Sequence, residues 1–297
     1  MIDIRLKVFR SVALNQSFTR ASQELFISQP AISKHVKELE SEFNCKLFER
    51  LAGKIVITPA GQVMLDHANR ILKAYERMAF EMNALQQKTT GELRIGAITT
   101  VSQYIIPEII ANFRHDFPEI TITLLSGNSR EVERALEQSR IDLGMVEGIS
   151  RQPQFKYTAF MDDELVPIVS TRGGLSAYDS IDLETLKRVP IVLREFGSGS
   201  LDVIRQAFEK KGISLSELNI EMSLGTTEGI KHYVEHSSSM GIVSIRSVSK
   251  EVFNNIFKIV DLDGLKIGRR LAFVERQGEV SALSRKFKTF ITKCYNR

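Results

Sequence analysis

Residues 28–40 read SQPAISKHVKELE, and this stretch decides the fold of the N-terminal part of the chain. Its apolar residues Ile32, Val36 and Leu39 recur at helical spacing, so one face of a helix packs inward. Pro30 is tolerated near the start of a helix, because its missing N–H would have no intrahelical partner there. The stretch therefore predicts a helix with a polar outer face.

Two further helices are predicted before it, in DIRLKVFRSVALNQ (residues 3–16) and in SFTRASQELF (residues 17–26). Ser17 and Ser28 are suitable N-caps for the second and third helices. The residues expected to pack inward are Leu6, Phe9, Val12 and Ala13 on the first helix and Ala21, Leu25 and Phe26 on the second. Two short helices joined by a tight turn are typical of a helix-turn-helix, whose second helix enters the DNA major groove. A three-helix protein-interaction domain is the alternative.

A small wing is predicted after the third helix. Asn44 suits a left-handed helix terminus, and two short β-branched or aromatic segments follow, KLFER (residues 46–50) and KIVI (residues 54–57). Arg50 and Lys54 on these strands could reach phosphates or a minor groove.

The basic charge of the chain is concentrated at its N-terminal end. Of 40 Lys and Arg and 36 Asp and Glu in 297 residues, residues 1–90 hold 13 and 9, which leaves 27 of each for the remainder. This asymmetry favours a front part that meets a polyanion and a neutral part with another task.

Several classes of protein are disfavoured by composition. The sequence has no apolar run of 18 residues and no secretory signal pattern at its start, so we expect a cytoplasmic protein without a membrane partner. Cys45 and Cys294 are far apart, which argues against a disulfide framework or a cysteine-based zinc site. We expect both to be packing residues.

A long helix is predicted from Thr58-Pro59 to about Lys88. Apolar residues are spaced by four and three along it, at Met64, Ala68, Ile71, Tyr75, Met78, Met82 and Leu85. Such a heptad seam is the signature of a coiled coil and predicts a homodimer. The alternative is a long helix packed on its own domain.

The last two hundred residues alternate strand-like and helix-like segments after a polar hinge, QQKTTG (residues 86–91). The strand-like runs include ELRIGAI, ITITLL, IDLGMV, DELVPIVS, VPIVL, NIEMSL, MGIVSI and FKIVDL. This alternation predicts a parallel or mixed sheet covered by helices on both faces, in two α/β lobes.

Two segments follow predicted strands and lead into helices, which is where open α/β sheets bind ligands. Hydroxyls and glycines in AITTVSQ and REFGSGSLD could surround a small anion or carboxylate with N–H and O–H groups. The candidate effector-binding residues are Thr99, Thr100, Ser102, Gln103, Gly197, Ser198, Gly199 and Ser200, with Thr226, Thr227, Glu228 and Glu147 as weaker candidates for the rim. A flexible Gly-Ser turn and an ordinary helix cap are the alternatives.

The sequence does not favour an enzyme. It lacks GxxxxGK[ST], HExxH and GxSxG, and we expect no catalytic residue, cofactor or metal site. His232 and His236 lie one helical turn apart, but a solvated helix face explains them more simply than a metal.

SFTRASQELFISQPAISKHVKELE, LFER and ITPAG together resemble the N-terminal signature of LysR-type bacterial transcription regulators. The fold class implied is α/β with an N-terminal all-α winged helix-turn-helix, a long dimerisation helix and a two-lobed effector domain similar to periplasmic binding proteins. The implied domains are residues 1–58, 59–90 and 91–297, the last divided into lobe I (91–161 and 265–297) and lobe II (162–264).

The resemblance also implies partners: double-stranded promoter DNA, a homodimer that pairs into a homotetramer, RNA polymerase and a small-molecule effector bound between the lobes. Gln29, Pro30, Ser33 and Lys34 would face DNA, with Arg50 on the wing; the complete set of DNA-binding candidates is Ser28, Gln29, Pro30, Ser33, Lys34, His35, Lys37, Arg50 and Lys54. The family usually has Arg where this chain has Lys34, which suggests a phosphate anchor instead of a base reader. LREFGSGS and the earlier Thr pair are similar to members that govern sulfur assimilation.

Overall fold

The computed structural model describes residues 3–51, 54–85, 90–147, 152–278 and 281–295. The chain divides into two compact units, residues 1–90 and residues 91–297. In the part of the chain that the structure describes, no helix is long and apolar enough to cross a membrane.

The N-terminal unit consists of helices and one hairpin. Its elements are α1 (Ile4–Asn15), α2 (Phe18–Leu25), α3 (Gln29–Glu42), β1 (Phe48–Leu51), β2 (Lys54–Ile57) and α4 (Pro59–Leu85). Side chains cap the starts as the sequence predicts, since Ser17 and Ser28 accept from the third backbone N–H beyond each of them. Asn44, just past α3, has φ of 48°, the left-handed conformation predicted for it.

The inward face predicted for α3 is confirmed. Ile32 and Val36 pack with Val8 and Val12 of α1, while Leu39 belongs to a second cluster. That second cluster also contains Phe9, Leu47 and Ala68. Burial of these apolar side chains stabilises the packing of α3 through one face of the helix only.

The prediction that Phe26 packs inward is wrong, because 95% of its surface is exposed. Phe26 ends α2 in the left-handed conformation, with φ of 55°, and this turns its side chain away from the helix face. Ile27 packs against the core instead.

Helix α4 uses its predicted seam in two ways. Met64 and Ala68 pack against the N-terminal unit itself, with Ala68 fully buried. Ile71, Tyr75, Met78 and Met82 are exposed large apolar side chains. The side chain of Leu85 and the hinge residues 86–89 lie outside the described residues. The packed-helix alternative therefore explains the first part of the seam and leaves the second part without a partner in this unit.

The second unit is a mixed α/β structure. Its strands are β3 (Gly91–Ile98), β4 (Ile120–Gly127), β5 (Leu143–Glu147), β6 (Phe155–Ser170), β7 (Ser180–Ile181), β8 (Ile191–Arg194), β9 (Ile220–Leu224), β10 (Met240–Ser244), β11 (Phe257–Ile259), β12 (Asp261–Leu262) and β13 (Ile267–Arg276). Its helices are α5 (Thr99–Tyr104), α6 (Ile106–Asp116), α7 (Ser129–Glu137), α8 (Leu183–Leu186), α9 (Gly199–Glu209), α10 (Thr227–Glu235), α11 (Ser249–Phe253) and α12 (Ala282–Tyr295).

One hydrogen-bonded sheet runs through both lobes in the order β4-β3-β5-β13-β6-β10-β8-β9, with β11 beside β6. β3, β4 and β5 are parallel at one end, and β8, β9 and β10 are parallel at the other. The long antiparallel pair β6 and β13 crosses between them. Because parallel strands place their carboxyl ends at one edge, the N-termini of α5 and α9 face the region between the lobes.

Candidate functional sites

The N-terminal end of α3 presents a polar, accessible surface. Ser28, Gln29 and Pro30 are exposed, and Ser33 is half-buried. The Gln29 amide donates to Ser33 Oγ at 3.3 Å, so these two side chains form one hydrogen-bonding edge on consecutive turns of the helix. An amide and a hydroxyl at this spacing can pair with base edges.

The charged residues farther along α3 are arranged around Glu38. Lys34 Nζ lies 3.9 Å from Glu38 Oε1 with 75% of its side chain exposed, and His35 Nδ1 lies 3.3 Å from Glu38 Oε2. Lys37 is exposed. Because an exposed ion pair at this distance is weak, Lys34 remains available for a phosphate.

The wing is a two-stranded hairpin in which Arg50 pairs with Ile55 and Leu51 with Lys54. Arg50 and Lys54 are both exposed. The two cations therefore lie on neighbouring rungs at the end of the ladder where Leu51 pairs with Lys54; residues 52–53 are outside the described part of the chain.

A buried arginine lies at the centre of the second unit. The side chain of Arg269, on β13, is fully enclosed and forms ion pairs of 2.7 Å with both Glu147 and Asp163. It also donates to Ser200 Oγ at 2.8 Å and Thr100 Oγ1 at 3.2 Å. Glu147 ends β5 and Thr100 follows β3, both in lobe I, while Ser200 lies in the first turn of α9 in lobe II, so one guanidinium joins both lobes to the crossing strands.

Glu147 occupies the start of α9. Its carboxylate accepts from Ser129 Oγ at 2.6 Å and from Ser200 Oγ at 3.0 Å. A Cβ placed on Gly199 would lie 2.4 Å from Glu147 Oε2, so only glycine leaves space for this carboxylate. The expectation that Glu147 lies at the rim is wrong. Glu147 is 3% exposed and lies at the centre, where Arg269 and the two hydroxyls hold its carboxylate.

A second buried arginine spans the lobes beside the first. Arg194 donates to Thr99 Oγ1 at 2.7 Å, to the Gly225 carbonyl at 3.0 Å and to both oxygens of Glu195. The Thr pair predicted from AITTVSQ thus contacts two different guanidinium groups, one hydroxyl on each.

The other candidate residues of this region make their contacts away from the two arginines. Ser102 Oγ contacts Ser126 Oγ at 2.7 Å inside lobe I, and Gln103 is exposed. Thr226 caps α10 by accepting from the Gly229 N–H at 2.9 Å, which is the helix-cap alternative. Gly197 has φ of +95°, which requires glycine, and Ser198 is buried without a capping hydrogen bond.

Contacts between the lobes also close the two sides of this centre. On one side Tyr104 of α5 donates a hydrogen bond to Glu228 of α10. On the other, Asn128 donates to Glu195 at 3.3 Å, and the Arg130 guanidinium lies 4.3 Å from the centre of the Phe196 ring. The two lobes are therefore in contact through these side chains as well as through the buried arginines.

Arg194, Asp163 and Arg269 are the central residues that sequence reasoning missed. Arg and Asp are normally exposed, and each of these residues stands in a strand whose alternation gives no sign of which face is enclosed. The available signal was that oppositely charged residues occur within apolar strands, since a buried charge requires a partner.

Among the described residues, no group of three or more His, Cys, Asp or Glu is arranged to hold a metal ion. His236 Nδ1 lies 2.9 Å from the His232 carbonyl oxygen, consistent with the helix-face interpretation. Cys45 is a free, half-buried cysteine, and the side chain of Cys294 lies outside the described residues.

A winged DNA-reading unit joined to a two-lobed ligand-binding unit defines a class of ligand-responsive regulators. Two family models match the chain: the bacterial regulatory helix-turn-helix protein of the lysR family over residues 4–62, and the LysR substrate binding domain over residues 86–294. The chain belongs to the LysR family of bacterial transcriptional regulators.

Curated relatives extend along most of the chain. It is 26% identical over 269 residues to the HTH-type transcriptional regulator CysL of Bacillus subtilis, covering 91% of this chain and 89% of that protein. It is 31% identical over 270 residues to a probable RuBisCO transcriptional regulator of Cyanidioschyzon merolae, covering 90% and 89%. These relatives are named as regulators, and the chain is a transcriptional regulator with an effector-binding domain, not an enzyme.

Solved structures share the fold. CbnR, a LysR family regulator solved in full length with its target DNA, has a TM-score of 0.65 and 21% identity, covering 99% of both chains. The CcmR regulatory domain of Synechocystis in complex with 2-PG has a TM-score of 0.63 and 23% identity, covering 69% of this chain and 97% of that one.

Proposed function

We propose that α3 reads promoter DNA through Gln29 and Ser33, while Lys34, Arg50 and Lys54 contact phosphates. The observation that carries this proposal is the exposed Gln29–Ser33 edge at the start of a helix whose other face is buried. The remaining candidates, Ser28, Pro30, His35 and Lys37, lie on or beside the same surface. The solved CbnR–DNA complex supports a DNA partner for this fold.

The base-reading role is tested by replacing Gln29 or Ser33 with alanine. Each change should weaken binding to the specific promoter by roughly 1–3 kcal/mol and leave binding to random DNA nearly unchanged. Fluorescence anisotropy on both DNAs measures the difference, with Gln62→Ala on α4 as the matched control. Equal losses on the two DNAs would remove the base-reading role.

The phosphate role of Lys34 is tested by salt dependence. Lys34→Ala should weaken binding to all sequences alike, and the slope of log affinity against log salt concentration should become shallower by about one. A slope that does not change would assign Lys34 to base reading.

We infer that the effector binds between the lobes around Thr99, Thr100, Gly199 and Ser200, and that it is a small anion or carboxylate. Arg194 and Arg269 are the cations of this region; they are paired with Glu195 and with Glu147 and Asp163, and they also donate to the hydroxyls of Thr99, Thr100 and Ser200. The name of the relative CysL and the LREFGSGS segment support small sulfur oxyanions as the first ligands to examine.

Because Glu147 fills the start of α9 in this arrangement of the lobes, an anionic effector would bind by replacing the Glu147 carboxylate or by parting the lobes. An effector that binds one arrangement better than the other shifts the population between them. In this proposal that shift changes the promoter binding of the assembled regulator.

The experiment is a thermal-shift series on the full chain with sulfate, sulfite, thiosulfate and acetate. A ligand at 100 times its Kd should stabilise the folded protein by about 2.7 kcal/mol, and Thr100→Val should abolish the shift. Ser176→Ala, in lobe II but away from the two arginines, should retain it. A shift that survives Thr100→Val would move the site elsewhere.

The proposed assembly is a homodimer joined through the exposed part of the α4 seam, with dimers pairing into a homotetramer that contacts RNA polymerase in the bacterial cytoplasm. The proposed domains are residues 1–58, 59–90, 91–161 with 265–297, and 162–264. The four exposed apolar residues of the α4 seam, Ile71, Tyr75, Met78 and Met82, support the dimer, because large apolar side chains spaced by three and four rarely remain solvated.

A further inference from the structure

A cavity of about 340 Å³ opens between the end of α9 and the start of β13. Its walls carry four exposed cationic residues, Lys210 and Lys211 just after α9 and Lys266 and Arg270 from the turn and strand that follow, together with the buried Arg269. We propose that this cavity binds a small phosphorylated ligand. The proposal does not depend on an effector between the lobes.

The three lysines have no carboxylate within ion-pair distance among the described residues. Arg270 has one, Asp162 at 3.2 Å, but the two side chains are 70% and 83% exposed, so this pair gives little stabilisation. Like charges gathered around a concave site repel one another and raise the local concentration of anions. Residues 91–297 as a whole hold 27 basic and 27 acidic residues, so the excess of cations at this cavity is local.

Proximity to the end of a helix explains only part of this cluster. Cations at a helix C-terminus are favoured by the helix dipole, which accounts for Lys210 and Lys211. Lys266 and Arg270 come from a different element and face the same cavity. Two elements that each contribute two cations to one cavity indicate a site for an anion.

The shape of the cavity fits a small ligand. Gly264 and Gly268 line it, and a Cβ added at Gly268 would meet nothing within 4 Å, so this wall is open to a ligand that approaches the backbone. The Lys211 ammonium lies 3.9 Å from the Cβ position of Gly264. A lysine ammonium is a point charge and lacks the planar two-donor geometry of a guanidinium. Several ammonium groups together therefore suit a ligand with many acceptor oxygens and a high negative charge, such as one that carries a phosphoryl group. Its volume is at the lower end of that of small-molecule sites.

The test is isothermal titration calorimetry of the full chain with inorganic pyrophosphate at about 0.1 M salt. Lys266→Gln and Lys211→Gln should each weaken pyrophosphate binding about tenfold, since each removes one charge-assisted contact. Lys250→Gln, an exposed lysine of α11 outside the cavity, should leave the affinity unchanged.

Three results would overturn the proposal: no pyrophosphate binding, an affinity unaffected by Lys266→Gln, or an equal loss in Lys250→Gln. The phosphates of DNA are the other ligand that this cluster could contact, and promoter binding measured on the same variants tests this. If Lys266→Gln weakens DNA binding and not pyrophosphate binding, the cluster serves DNA and the small-ligand proposal fails. If Thr100→Val alone abolishes pyrophosphate binding, the anion belongs to the region between the lobes.

Discussion

At the scale of single residues, Arg269 has the largest electrostatic role. Its guanidinium neutralises Glu147 and Asp163 where none of the three side chains is more than 3% exposed, and Ser244 Oγ adds hydrogen bonds of 2.9 and 3.0 Å to Asp163. Buried ion pairs cost desolvation energy, so the group is sensitive to loss of one member.

Arg269→Leu should lower the free energy of unfolding by about 3–5 kcal/mol, because it leaves the buried Glu147 without a cation and Asp163 with only the more distant Arg246, at 3.7 Å. Its neighbour Arg270, which is 70% exposed, is the matched control, and Arg270→Leu should cost no more than about 1 kcal/mol. Urea denaturation of the full chain measures both. Similar losses in the two variants would contradict the role given to Arg269.

Glu40 gives a pH-dependent prediction for the N-terminal unit. Burial opposes its ionisation, but the Leu47 N–H and the Lys46 ammonium, each 2.9 Å away, hold the pKa of Glu40 below its ordinary value. A lowered pKa in the folded chain stabilises it fully above the pKa of the unfolded chain, and this stabilisation is lost as the pH falls through the folded pKa.

Glu40→Gln should therefore cost about 1–2 kcal/mol at pH 7 and progressively less as the pH falls below the ordinary carboxyl pKa. Chemical denaturation of both proteins between pH 7 and pH 3 measures the difference. Glu49→Gln, on the exposed face of the wing, should show no such trend. A cost independent of pH would mean that packing, not charge, is responsible.

At the scale of elements, α4 has two surfaces along one seam. Met64 and Ala68 complete the core of the N-terminal unit, while the exposed residues of the seam follow about one to four turns after Ala68. The heptad spacing predicted the apolar face but could not predict where it changes neighbours, because both kinds of packing use the same periodicity. The point along α4 where the neighbours change depends on how far α1 and the wing extend beside this helix.

Met78→Glu should weaken the proposed dimer, because it places a charge in the exposed part of the seam. Arg70→Glu introduces the same side chain at an exposed position of α4 outside the seam and should leave the dimer intact. Sedimentation equilibrium of the full chain compares the two dissociation constants. A dimer unaffected by Met78→Glu would require another interface.

The crossing strands show the limit of sequence reasoning about elements. DELVPIVS predicted the second half of β6, but its first half, residues 155–162, has mixed polarity and was not predicted as strand. β13 was also missed, and so were the short elements β7, α8 and α11 and the C-terminal α12. Strands that pair along ten positions with each other are stabilised by that partner, which local patterns do not reveal.

At the scale of the whole second unit, the lobes are joined by contacts that come from residues more than sixty positions apart. Tyr104 with Glu228 and Asn128 with Glu195 close opposite sides around the buried arginines. Burial and contact with the Glu228 carboxylate both raise the pKa of Tyr104, so its hydroxyl remains a donor at neutral pH. Closure thus depends on a few polar contacts whose partners no local sequence pattern identifies.

Tyr104→Phe should loosen that closure at a cost of about 0.5–1.5 kcal/mol in stability, the usual value of one hydrogen bond. Hydrogen exchange should become faster in the peptides that contain residues 104 and 228. Tyr178→Phe, on an exposed tyrosine of lobe II, is the control and should leave exchange there unchanged. Identical exchange in the two variants would mean that this hydroxyl does not hold the lobes together.

The ladder between β6 and β13 has one irregular place, where the pairing shifts between Leu271 and Ala272. On either side of it the strands are held by regular backbone hydrogen bonds, so the ladder resists shearing and stretching there. An extra residue in one strand permits local bending and twist. The shift therefore marks the place in the paired strands where the backbone can bend, two residues along β13 from Arg269.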